Sequence, residues 1–131
     1  MGKFSKHLKK ENKNLKNVLV IGSAFGNLED LVESGINIFV VYPKDESIRR
    51  KNIIYREDLS SIHVLSDIDF IIIDKELIHV IPNLEPVWKK HKTTILVEGS
   101  IGDSLEQHKF LKSQRYQITE IKKWHHIWKI K

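Results

Sequence analysis

The chain contains no cysteine in 131 residues, so it forms no disulfide, offers no thiolate nucleophile and builds no cysteine-ligated zinc site. That absence fits a reducing compartment, and a cytoplasmic location is expected. No uninterrupted apolar run approaches the roughly 18 residues that a membrane-spanning helix needs, and residues 1–16 lack the apolar core of a signal peptide. A soluble protein without a membrane partner is expected. No internal repeat is present, and at this length the chain makes one folding unit that buries about two-thirds of its unfolded surface.

Lysine, by contrast, is concentrated at one end. Lys3, Lys6, Lys9, Lys10, Lys13 and Lys16 stand against Glu11 alone, and their excess equals the formal net charge of the entire chain, +5. From Asn17 onward acids and bases balance. Residues 1–16 are therefore read as a basic leader and residues 17–131 as a single α/β domain. The leader suits an arm for nucleic acid or an anionic surface, attracted by counterion release. The plainer reading, a solvated, partly helical or frayed terminus, is the one favoured here.

The most informative stretch is NVLVIGSAFGNLEDL, from Asn17 to Leu31. Val18 to Ile21 are apolar and mostly β-branched, as in a strand covered on both faces of a parallel sheet. Gly22 and Gly26 bracket a tight turn. Asn27 follows as an N-cap residue, then Leu28, Leu31 and Val32 fall on one helical stripe, with Glu29, Asp30 and Glu33 on the wet face. A strand that turns through glycines into a helix aims backbone N–H groups at the space above the strand. The two glycines can also be purely structural, supplying positive φ to an ordinary strand-to-helix connection.

The same alternation continues along the chain. Ile36 to Tyr42 forms a second strand entered through Gly35, a helix C′ residue, and ended by Pro43. The segment before the next strand, Asn52 to Tyr55, is too short for a full crossover helix. Ile68 to Ile73 is a buried strand between Asp67 and Asp74. Leu84, Val87, Trp88 and His91 share a helical stripe for which Asn83 is a cap candidate, with Pro82 separating it from the apolar turn before. Thr93 to Val97 is a strand, and Gly99 and Gly102 lead to a helix carrying Leu105, His108 and Leu111. Tyr116 to Lys122 and Trp124 to Ile130 read as two strands joined tightly at Lys122 and Lys123. This order predicts a three-layer αβα sandwich, a Rossmann-like, mostly parallel sheet ending in an antiparallel hairpin. Ligand should bind at the carboxyl ends of its strands, beside the first.

From about Leu15 onward the sequence resembles the class I S-adenosylmethionine-dependent methyltransferases in compressed form. The residues that carry the likeness are Val18 to Ile21 followed by Gly22, Ser23, Ala24, Phe25 and Gly26, set against a hydrophobic–acidic–hydrophobic strand and a GxGxG loop. Two positions depart from that pattern: Val20 stands for the acid and Ala24 for the middle glycine. The resemblance implies a transferase that binds S-adenosylmethionine, with Gly22, Ser23, Ala24 and Gly26 under the amino-acid end of the cofactor. Tyr42 occupies the position of the acid that holds the ribose hydroxyls, and Asp58 matches the acid on the adenine side. Asp74, at the end of its strand, stands where the family places its catalytic or substrate-facing motif. Glu98 ends the next strand on the same edge, so Asp74 or Glu98 is expected to orient or deprotonate the substrate.

Each candidate also has a plainer reading. Asp58 can cap the turn that follows it, and Phe25 and Tyr42 can be core aromatics rather than adenine platforms. His125 and His126 are strand neighbours that point to opposite faces, so side-chain alternation denies them a shared metal ion. Val20, Ala24, Tyr42 and the small size together support a second function: a non-catalytic Rossmann-like binding or scaffold protein that has lost its cofactor. Such a protein would act through protein or nucleic-acid partners, or as a homodimer if Trp124 and Trp128 are exposed. A nicotinamide dinucleotide site is disfavoured, because neither GxGxxG nor an acid after the second strand is present.

Overall fold

Every second residue of the central strands is apolar on each face, and that pattern determines where the layers form. The computed structural model describes residues 2–41, 53–56, 68–86, 88, 93–98, 104–121 and 124–130, with side chains for all of these except 53–56, 98, 104–108 and 118–128. Helix α1 (Lys3–Glu11) leads into β1 (Asn17–Ile21), α2 (Leu28–Glu33) and β2 (Asn37–Val41). The chain continues through β3 (Ile53–Arg56), β4 (Phe70–Ile73), a 3₁₀ helix (Lys75–Leu84), β5 (Thr94–Glu98), α3 (Ser104–Ser113), β6 (Ile118–Ile121) and β7 (Trp124–Ile130).

The strands form one seven-stranded sheet in the order β3-β2-β1-β4-β5-β7-β6. Strands β1 to β5 pair in parallel, and β7 lies antiparallel between β5 and β6. The sequence foresees the tight β6–β7 hairpin. It does not foresee that β7 inserts beside β5 and leaves β6 at the edge, because that choice rests on contacts distant in sequence, such as Ile95 opposite Ile130.

Register links the strands into buried rows. Leu19, Ile71 and Ile95 lie abreast on one face, and Val20, Ile72 and Leu96 lie abreast on the other. The first face packs against Ile78, Ile81 and Leu84 of the 3₁₀ helix and against Trp88, Leu111 and Tyr116. The second packs against Leu28, Leu31 and Val32 of α2 and against Phe4 and Leu8 of α1. The result is the three-layer αβα arrangement expected from the alternation of strands and helices.

Three local expectations need correction. Pro82 and Asn83 do not mark the boundary between turn and helix: the 3₁₀ helix runs through both to Leu84, and α-helix follows at residues 85, 86 and 88, with Val87 and His91 of the expected stripe outside the described residues. Beyond the end of the 3₁₀ helix, Trp88 Nε1 donates to the Ile81 carbonyl at 3.3 Å, with the indole edge-on to Tyr116. Tyr116 in turn donates its hydroxyl to Glu85 Oε1 at 2.7 Å. Burial and that carboxylate push the phenol well above the usual tyrosine range.

Over residues 3–11 the leader is helical, as one of its readings allows, but it is docked along one face and solvated only on the other. Phe4, Ser5 and Leu8 are buried, and the helix is anchored by Asp30, which the sequence had placed on the wet face of α2. Asp30 Oδ1 accepts from Gly2 N at 2.7 Å and from Ser5 Oγ at 2.8 Å, and Oδ2 accepts from Ser5 N at 3.0 Å. A carboxylate at a helix N-terminus satisfies orphan donors and complements the helix dipole. Partial burial opposes ionisation of Asp30, but the bonds from Ser5 and Gly2 outweigh it and lower its pKa. At the other end of α1, Asp69 Oδ2 accepts the amides of Lys16 and Asn17 at 2.8 and 3.0 Å, fixing the entry to β1.

Candidate functional site

The turn after β1 is built from an unusual run of backbone. Gly22 and Gly26 have φ of 109° and 79°, as the sequence predicts, but Ala24 and Phe25 between them are also left-handed, at 54° and 59°. A left-handed conformation costs an ordinary residue roughly 1–2 kcal/mol. Something must therefore hold this loop in place.

Asp74, immediately after β4, supplies that hold. Its side chain is fully buried, and it reaches across to the neighbouring loop. Oδ2 accepts from Ser23 N and from Ser23 Oγ, both at 2.9 Å, and Oδ1 accepts from Phe25 N at 3.1 Å. Asp74 is itself positioned by its own amide, which donates to the Ile21 carbonyl at 3.1 Å. Gly22 is required for close approach as well as for φ. A Cβ there would lie 2.4 Å from Asp74 Oδ2.

Three further turn amides also donate within the protein. Gly22 N donates to the Val41 carbonyl, Gly26 N to Ser23 and Asn27 N to Ala24. Asn27 occupies the cap position of α2, but its side-chain amide donates back to the carbonyls of Ala24 and Phe25 and makes no side-chain cap bond to the helix. The expectation that this turn directs a set of amides outward is therefore corrected for these five residues: 22, 23, 25, 26 and 27. The left-handed turn and the buried carboxylate turn those donors toward the protein. What the loop presents outward is bare backbone at Gly26, which is exposed and where an added Cβ would meet no atom within 4 Å.

The other sequence candidates fall as follows. Gly22, Ser23, Ala24, Gly26 and Asp74 come together in this one cluster. Glu98 ends β5 on the same edge of the sheet, one residue beyond the Val97–Ile73 pair, with its side chain outside the described residues. Tyr42 and Asp58 also lie outside them, as do the side chains of Trp124, His125, His126 and Trp128. Val20, at the family's acidic position, is fully buried in the core facing α1 and α2. Phe25 is half-buried and meets Phe4 edge-on with ring centroids 6.0 Å apart, so it serves as packing between the loop and α1. That contact was missed by the sequence reading. Its only local signal was the i, i+4 spacing of Phe4 and Leu8.

Among the described residues no group of three or more His, Asp or Glu side chains is arranged to hold a metal ion, and no helix is long and apolar enough to cross a membrane.

No protein-family model matches this sequence, and no curated protein does. Solved structures do match its fold. A candidate caffeoyl-CoA O-methyltransferase from Staphylococcus aureus superposes with a TM-score of 0.62 at 18% identity, over 98% of this chain and 81% of its own. The chain has the class I methyltransferase fold. The precorrin-6y C5,15-methyltransferase of Geobacter metallireducens shares this fold at a TM-score of 0.55 and 13% identity, covering 96% of this chain and 85% of that one. The precorrin 8w decarboxylase of Methanobacterium thermoautotrophicum does so at 0.55 and 13%, covering 99% and 89%. In class I methyltransferase terms the cluster at Gly22–Gly26 and Asp74 sits at the carboxyl edge, where the strand order reverses beside β1. A fold alone does not fix a reaction.

Proposed function

We propose that this chain binds S-adenosylmethionine across the Gly22–Gly26 loop and acts as a methyltransferase on an acceptor of unassigned class. The observation that carries the reading is the loop itself: four of its five residues, Gly22 and the run Ala24 to Gly26, have positive φ, held by a buried carboxylate at the topological switch point. Backbone strain maintained by surrounding structure is characteristic of ligand sites. The open face at Gly26 fits a cofactor that lies flat against backbone.

Within this reading each residue has a limited task. Gly26 leaves the approach clear. Ala24 and Ser23 form the floor, and Asp74 is a positioning residue that keeps the floor rigid, in place of the catalytic role the resemblance implied. Glu98, Tyr42 and Asp58 are retained as candidates for orienting the acceptor, the ribose and the adenine. The bound cofactor would supply an activated methyl group on its sulfonium, leaving the protein to orient the acceptor and exclude water.

The inward-turned amides favour a second reading, a binding or scaffold protein that keeps the fold without the cofactor. A thermal-shift series separates the two. A ligand at a hundred times its Kd stabilises the native state by about 2.7 kcal/mol, or roughly 10 °C for a domain of this size. S-adenosylmethionine and S-adenosylhomocysteine should give that shift and NAD should not. No shift with any of the three supports the scaffold.

A further inference from the structure

We propose that the solvent face of α1, continued through residues 12–16 to a groove at the amino edge of the sheet, binds nucleic acid through its phosphates. Lys3, Lys6 and Lys10 are exposed, and their i, i+3, i+7 spacing puts them on the face opposite the buried Phe4, Ser5 and Leu8. Lys13 and Lys16 extend the same positive run and are exposed too. Lys9 is half-buried and donates its Nζ to the Ser34 carbonyl at 3.3 Å. It lines a groove of about 300 Å³ together with Lys16, Asn17, Ser34, Gly35 and Asn37.

Three acids near the run already serve other partners, while Glu29 and Glu33 stand exposed on the neighbouring α2. Glu11, the one carboxylate on α1, accepts Lys129 Nζ at 2.6 Å. Asp30 is bound to the start of the helix, and Asp69 to the amides of Lys16 and Asn17. The lysine run therefore carries a concentrated positive charge on a protein whose remainder is neutral. A polyanion is the partner that matches it.

Nucleic acid is favoured over a membrane surface because α1 has nothing to insert. Interfacial helices bury an apolar face among the lipids, whereas the apolar face of α1 is consumed by the core, with Phe4 and Leu8 at 3% and 0% exposure. What remains is a row of flexible point charges, the means by which proteins hold a phosphate backbone. The run also has a direction. Phe4 against Phe25 and Gly2 against Asp30 place the start of α1 beside the glycine loop, and Lys9 against Ser34 places its end at the opposite edge. A bound strand would thus pass close to the candidate site, although the surface works whether or not the loop holds a cofactor.

The test is fluorescence anisotropy with a fluorescein-labelled 20-nucleotide single strand and its duplex, between 50 and 200 mM salt. Five exposed lysines predict a log–log salt slope of about −4.5 on the duplex. The double variant Lys6→Glu/Lys10→Glu should flatten that slope by about 2 and weaken binding about 100-fold at 50 mM salt. Lys6→Gln/Lys10→Gln should flatten it similarly without charge reversal. The control Lys109→Glu/Lys112→Glu alters two exposed lysines near the end of α3 by the same total charge, and it should change affinity less than about threefold. An equal loss in that control would overturn the proposal, as would no binding to either oligonucleotide. Binding to phosphatidylserine vesicles in place of the oligonucleotides would overturn it too.

Discussion

Replacing Asp74 should loosen the glycine loop and lower the stability of the whole domain. The carboxylate is fully buried and accepts hydrogen bonds from Ser23 N, Ser23 Oγ and Phe25 N. Asp74→Ala strands two backbone donors that cannot be redirected without unwinding the loop, and each such loss costs about 1–3 kcal/mol. It also frees Ala24 and Phe25 from the contact that offsets their left-handed strain, so the loop gains by relaxing and the two effects partly cancel. The net cost is about 3 kcal/mol, or roughly 10 °C in Tm for a domain of this size. Asp74→Asn keeps one acceptor oxygen and turns an NH₂ toward the other donors, for about 2 kcal/mol. Ser23→Ala removes only the hydroxyl and costs about 1 kcal/mol. Urea unfolding measures the series, and native-state hydrogen exchange locates it, with the Ser23 and Phe25 amides losing protection first. An Asp74→Ala protein within 0.5 kcal/mol of the parent, or one that keeps those two amides protected, would refute the assignment of Asp74 as the loop's clamp.

Two further predictions concern the same layers. Gly22→Ala forces a Cβ to 2.4 Å from the Asp74 carboxylate at φ 109° and should cost about 2–5 kcal/mol, whereas Gly26→Ala meets open space and should cost only about 1 kcal/mol; paired thermal melts compare them. Asp30 has its pKa lowered by the bonds that anchor α1, so its contribution is complete above the ordinary aspartate value of about 3.9 and is lost as pH falls through the lower folded value. The Tm gap between the parent and Asp30→Asn should therefore be present at pH 6 and close below about pH 4. A gap independent of pH would contradict the anchoring.

What the sequence disclosed and what it concealed divide along a physical line. Features set by neighbouring residues were legible. The apolar runs of β1, β2, β4 and β5, the positive φ at Gly22, Gly26 and Gly35, and the buried stripe of Leu28, Leu31 and Val32 all follow from local pattern. Features set by partners far along the chain were not. Asp30 looked like an exposed acid of α2 because the donors it serves, Gly2 and Ser5, lie 28 and 25 residues away. Asp74 was placed correctly at the end of its strand. Its inward turn was hidden because the amides it accepts from lie about fifty residues earlier. The lysine spacing concealed a docked helix for a related reason: the charges dominate the composition of residues 1–16, while two apolar side chains, Phe4 and Leu8, determine where that segment goes.

The most direct test of the account is a calorimetric titration of the protein and of its Gly26→Arg variant with S-adenosylmethionine and S-adenosylhomocysteine. Gly26 is exposed and its outer side is open, so the arginine leaves the core intact at a cost of about 1–2 kcal/mol in backbone strain. It does cover the face on which the cofactor would lie. The account predicts micromolar binding by the parent and its loss in the variant at unchanged secondary structure. Absence of heat with the parent, or equal affinity in the variant, would contradict a cofactor site at this loop.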